Sequence, residues 1–135
     1  IDSVISLAKE MENEFSPISA RPFLWDASER NVIVHKGKIS GIVDVDDLCF
    51  GDPLLVLALT YTALEIDGHD TLYASYWEEY LLLGDSARRR LQFYRLFYTV
   101  AFMKKHATPT TNNNKIYFDT EKLQSMLHSS IKKFS

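Results

Sequence analysis

A single cysteine, Cys49, leaves nothing for an internal disulfide to pair with and suits a reducing cytosol. Glycine is equally sparse. Gly37, Gly41, Gly51, Gly68 and Gly84 are scattered, so there is no glycine-rich loop of the kind that cradles phosphates. No apolar run approaches the roughly 18 residues of a membrane span. The first residues lack the basic-then-apolar pattern of a signal peptide. Basic residues are not in excess either: 15 Lys and Arg face 18 Asp and Glu, for a net charge of -3. A nucleic-acid surface normally shows the opposite balance. A cytoplasmic protein that binds neither membrane nor nucleic acid is the expectation.

What remains is an ordinary soluble composition, 46% apolar and 24% charged, in a length that fits one domain spanning 1–135. Val4, Ala8, Met11 and Phe15 recur at helical spacing and predict a helix over about 2–15, ended by Ser16-Pro17. Asp52-Pro53 opens a second helix, because the carboxylate can cap free N–H groups and proline suits the first turn. Leu54 to Leu64 is apolar on nearly every side, which predicts burial. Tyr73, Tyr76, Tyr80 and Leu83 form a stripe expected to be core, stopped by Gly84. A long helix from Ala87 to about His106 and a last one from Asp119 or Thr120 complete the set, with the polar stretch 108–115 as an exposed loop between them. The class is therefore α+β, predominantly α-helical, with one small β-hairpin.

That hairpin carries the chemistry. Asn31–His35 and Ile39–Val43 are β-branched runs split by Lys36-Gly37, a two-residue turn signal. With those two as the central turn residues, Asn31 faces Ile42 and Asp44 lies one diagonal step beyond, on the same face. A one-residue slip would separate them. An Asn amide oxygen and an Asp carboxylate are hard donors that suit magnesium, which keeps water and takes phosphate oxygens as further ligands. Asp26, five residues before Asn31, can return near the open end of the hairpin, where a carboxylate could take the proton of an attacking hydroxyl. Asp46 shares the face of Asp44 if the strand continues. Each residue alone has a plainer reading: Asp26 as a turn residue, Asp44 to Asp47 as a solvated strand end, Asp52 as a helix cap.

The order Leu24-Trp25-Asp26, Asn31, Val43-Asp44-Val45-Asp46, Gly51-Asp52-Pro53 resembles the aminoglycoside phosphotransferase family, small-molecule kinases related in fold to protein kinases. The match covers about residues 23–59. The resemblance implies the C-terminal lobe of a kinase-like phosphotransferase, with the hairpin bearing its catalytic and metal residues. It implies Asp26 as catalytic base, Asn31 and Asp44 as magnesium ligands, Asp46 as an occasional third, and Asp52 as a structural Asp beneath the catalytic loop. Mg2+, ATP or GTP as co-substrate, and a small-molecule hydroxyl acceptor (an aminoglycoside, amino alcohol or sugar) follow from it. In such a lobe the later helices build the acceptor pocket, which brings in Tyr76, Trp77 and Tyr94; an aromatic pocket would suit a cationic or sugar-like acceptor.

Three departures stand out. Leu24 and Trp25 replace the His and Gly that usually precede the base, so the loop must be braced by packing or be set differently. Val56 stands where the family often has another Asp. The nucleotide-binding lobe, with its strand Lys, is missing from this chain, so the fragment is expected to have little kinase activity by itself. The alternative is a non-catalytic, kinase-derived binding or regulatory module. His35, His69, His106 and His128 lack metal-ligand spacing and read as surface residues. Arg88-Arg89-Arg90 reads as a solvated helix start.

Overall fold

The computed structural model describes residues 2–16, 18–25, 29–107 and 120–134. Asp26 and the polar stretch 108–115 lie outside them. The chain runs α1 (Asp2–Glu10), α2 (Glu12–Phe15), β1 (Arg21–Leu24), β2 (Val32–His35), β3 (Lys38–Ile42), β4 (Leu48–Gly51), α3 (Leu54–Asp67), α4 (Leu72–Tyr80), α5 (Asp85–Ala107) and α6 (Thr120–Lys132). This is the expected α+β, mostly helical class, with two corrections. The first helix breaks at Met11, whose fully buried side chain leaves the helical backbone with ψ near 1°. There are also two two-stranded sheets rather than one hairpin: β2 pairs with β3, and β1 pairs antiparallel with β4.

The β2–β3 turn is as the sequence predicts. Lys36 and Gly37 both take positive φ, 50° and 73°, which matches the right-handed twist of the flanking strands. The β1–β4 pairing has no short-range turn signal, since the whole hairpin lies between its strands. It aligns Leu24 with Leu48 and Arg21 with Gly51. The chain leading towards Asp26 is thereby pinned beside Asp47, whose carbonyl accepts the Trp25 N–H at 3.1 Å, while the start of β1 lies beside Gly51.

Helices α3 and α5 pack against each other to form the main core. Leu54, Leu57, Ala58 and Tyr61 of α3 meet Leu91 and Tyr98 of α5, and Ala74 of α4 closes the cluster. A second cluster joins Leu7 and Met11 to Leu96 of α5, flanked by Leu127 and Ile131 of α6. Gly68, at φ 74°, ends α3 by donating to the Glu65 and Leu64 carbonyls. That left-handed cap is where glycine is needed. Helix α4 departs from expectation: Tyr73, Tyr76 and Tyr80 are exposed, and only Ala74 of the helix is buried.

Leu96 is completely buried where the second cluster's three helices meet. Leu96→Ala should cost about 2–5 kcal/mol of stability through lost burial and a residual cavity, as measured by urea unfolding.

Candidate phosphotransfer site

The hairpin register decides how Asn31 and Asp44 stand to each other. Next to the turn, His35 aligns with Lys38 and Val34 with Ile39, as expected. An irregularity between Ile33 and Val34 then lets Ser40 stand extra, so Ile33 aligns with Gly41 and Val32 with Ile42. The extra residue is a bulge, and it moves the partner of Asn31 from Ile42 to Val43. The Val43 N–H donates to the Asn31 carbonyl at 2.9 Å. Asp44 is therefore the residue immediately after the one bonded to Asn31, nearer than the diagonal step expected from an unbroken ladder. The same-face argument from strict alternation does not hold past the bulge. Asp44 instead turns out of the strand on a left-handed backbone, φ 56°. Asp tolerates that region better than most residues, though at some cost.

Asn31 is half-buried, whereas Asp44, Asp46 and Asp47 are exposed. Among the described residues no three His, Cys, Asp or Glu side chains converge as a metal cage. Asn31 with Asp44 offers one amide and one carboxylate oxygen donor, a set that suits Mg2+ with its remaining positions filled by water and phosphate.

Asp52 is buried, and all its visible partners are structural. One carboxylate oxygen accepts the Leu54 N–H at 3.1 Å, capping α3. The other accepts Arg90 Nε at 3.0 Å and the Tyr94 hydroxyl at 3.2 Å. The helix-cap reading was right but incomplete. Arg90, which the Arg run predicts to be solvated, is instead the half-buried counter-charge of Asp52, with only 16% of its side chain exposed. Its signal lay in the spacing: Arg90, Tyr94 and Tyr98 follow one another every fourth residue and so share one stripe of α5.

Two residues down that stripe matter electrostatically. Burial, then the adjacent Asp52 carboxylate, hold the Tyr94 phenol well above its ordinary range. Burial alone pushes Tyr98 up to about 12. The Tyr98 hydroxyl is buried with no hydrogen-bond partner. Its ring lies 6.2 Å from that of Trp25, which in turn lies 6.1 Å from Phe23. The position of the absent His-Gly pair is thus occupied by aromatic packing.

A model of the phosphotransferase enzyme family (APH) matches residues 25–94. The chain belongs to that family. The matched segment begins at Trp25 and ends at Tyr94, so it holds the hairpin, Asp52 and both of its side-chain partners. No curated protein and no solved structure matches the chain. The family membership covers phosphotransferase chemistry of the kinase type; among the described residues no helix is long and apolar enough to cross a membrane.

Of the three aromatic residues expected at an acceptor pocket of this phosphotransferase-family chain, the structure brings one to a groove. Trp77 lines a cavity of about 280 Å3 between β1, α3 and α4, together with Leu24, Val56, Leu57, Tyr73 and Leu81. Tyr76 points away, 66% exposed, and Tyr94 is held by Asp52.

Removing the Arg90 cation leaves a buried carboxylate uncompensated. Arg90→Leu should cost about 3–5 kcal/mol, and adding Asp52→Asn should recover part of that loss; chemical denaturation of both variants checks it. Tyr98 gives a pH signature. Its folded phenol ionises near 12, against about 10 when unfolded. The folded state therefore keeps a proton that the unfolded chain releases, so stability present below pH 10 falls as pH rises towards 12. Tyr98→Phe should flatten that alkaline loss and leave stability at pH 8 unchanged or slightly higher, because it deletes an unpartnered hydroxyl.

Proposed function

We propose that this chain forms the base-and-metal half of a site that transfers the terminal phosphoryl group of ATP or GTP to a hydroxyl of a small molecule. The reading is of a kinase-like C-terminal lobe. What supports it most is the bulged hairpin: the Val43–Asn31 hydrogen bond sets Asn31 beside Asp44 within the family-matched segment.

Asn31 and Asp44 would hold Mg2+, with Asp46 next along the chain as an assisting carboxylate. Bound there, the ion supplies neutralisation of phosphate charge. Asp26 is assigned by its place two residues beyond Leu24, the end of a strand fixed against β4. Its carboxylate accepts the proton of the acceptor hydroxyl as the new O–P bond forms. The bond from phosphorus to the bridging oxygen breaks, and the electron pair leaves with the nucleoside diphosphate. Asp52 takes no proton in this scheme; its carboxylate is committed to Leu54, Arg90 and Tyr94.

The nucleotide needs contacts beyond these residues. Val34, Ile39 and Ile42 of the hairpin are exposed apolar side chains, a surface suited to a further nucleotide-binding part of the protein.

The test uses the protein as its gene encodes it, assayed for magnesium-dependent nucleotide consumption against aminoglycosides, amino alcohols, sugars and apolar alcohols. Asp26→Ala should lower kcat by about 10²–10⁴, and Asn31→Ala and Asp44→Ala should raise the Mg2+ concentration required. Full turnover in Asp26→Ala would overturn the assignment of the base. Absence of acceptor-dependent turnover across the panel, with no Mg2+-dependent nucleotide binding, would leave a kinase-derived binding module instead.

A further inference from the structure

The groove beside Trp77 has a composition that selects among acceptors. Its β1 wall contains Leu24, two residues before Asp26 in the chain. Its floor is the first turn of α3, with Val56 and Leu57, and its rim is Tyr73, Trp77 and Leu81. Thr60 brings a hydroxyl, but it donates to the Val56 carbonyl at 2.9 Å. Among the described residues no charged side chain lines the groove. The neighbouring carboxylate, Asp52, is buried and neutralised by Arg90.

We propose that this groove seats the acceptor, and that the acceptor is an uncharged, largely apolar alcohol rather than a polycationic aminoglycoside. The identity of the groove as an acceptor seat rests on the phosphotransfer reading above; its preference for apolar ligands rests on its walls. An ammonium group entering it gives up hydration and meets no carboxylate among the described lining residues, which is costly. An apolar body instead covers the half-exposed rings of Tyr73 and Trp77, which stand edge to face at 6.3 Å, and gains from their burial. The volume, about 280 Å3, is near the roughly 300 Å3 lower end of small-molecule sites. The cationic acceptor suggested by aromatic residues in the sequence therefore finds poor complementarity on these walls.

The 15N-labelled chain reports on the groove through the Trp77 indole resonance. Titration with 4-phenylbutan-1-ol should shift that resonance saturably, while kanamycin and choline at equal concentration leave it in place. Val56→Asp, which puts a carboxylate in the floor, should weaken the alcohol at least tenfold. Tyr73→Ala, an exposed position that does not threaten folding, should weaken it about threefold or more. Tighter binding of kanamycin or choline overturns the proposal, as does an alcohol shift indifferent to both substitutions, or no shift. A Trp77 indole inaccessible to the alcohol in the protein as encoded also overturns it, since the groove is then filled by the protein's own chain. None of these readouts involves nucleotide turnover. A protein that passes the Asp26 test and fails here refutes the groove alone.

Discussion

The carboxylate of Asp52 is the point on which the site side of this molecule is hung. It is buried, and three donors from two different parts of the chain converge on it: the Leu54 N–H, the Arg90 guanidinium and the Tyr94 hydroxyl. The first fixes where α3 starts, and the other two fix the rotation of α5 about its axis. Arg90 continues the chain of contacts, donating to the Ser86 hydroxyl at 3.1 Å, which in turn bonds Glu14 of α2. A buried ion pair gives little net stability over an apolar replacement, because desolvation offsets most of the attraction. What it gives is location. Leucines could pack α3 on α5 in several rotations; a carboxylate with three donors to satisfy accepts few of them.

That location propagates to the end of β1 nearest Asp26 in the chain through β4. Gly51 ends β4 one residue before Asp52, and β4 holds β1 in register up to Leu24. The chain towards Asp26 therefore leaves from a fixed point, although its bracing is unusual. Where a histidine would brace through hydrogen bonds, Trp25 lies in an aromatic row with Phe23 and Tyr98. Aromatic packing is less directional than hydrogen bonding, but it covers more area. The partnerless Tyr98 hydroxyl under that row is the one buried polar side-chain atom without a bond among the described residues.

Legibility in the sequence followed the range of the interactions. Local signals were sound: Lys36-Gly37 as a turn, Asp52 as a cap, Gly84 between α4 and α5. The order and spacing of the acidic residues were enough to indicate the family, because a shared fold keeps its motifs in a fixed order along the chain. Interactions between distant residues were not legible. The β1–β4 pair has no turn of its own, and its exposed members Leu48 and Phe50 give no clean alternation. The Ser40 bulge changes register without changing the apolar pattern, so arithmetic from the turn outward goes wrong by one residue at Asn31. Arg90 was hidden in a run of three arginines, where Arg88 and Arg89 are the solvated residues the run suggests. The tyrosines of α4 misled for a related reason: helical spacing shows that residues share a face, but not whether anything covers it.

Why that face should be uncovered is answered from the opposite side of the helix. Helix α4 is fixed to the core by Ala74, which has no exposed surface, and by the Tyr61 hydroxyl, which donates to Glu78 at 2.9 Å. Tyr61 is itself held by Arg95, whose guanidinium lies 4.5 Å from its ring centre and pairs with Glu65. The attachment is therefore complete without the tyrosine stripe. Tyr73, Trp77 and Tyr80 stand edge to face with one another, and Tyr73 and Trp77 line the rim of the groove. Helical spacing alone puts these rings in a row; what their exposure leaves is apolar surface open to a ligand. An exposed aromatic rim beside β1 is better accounted for by what it contacts than by what it supports.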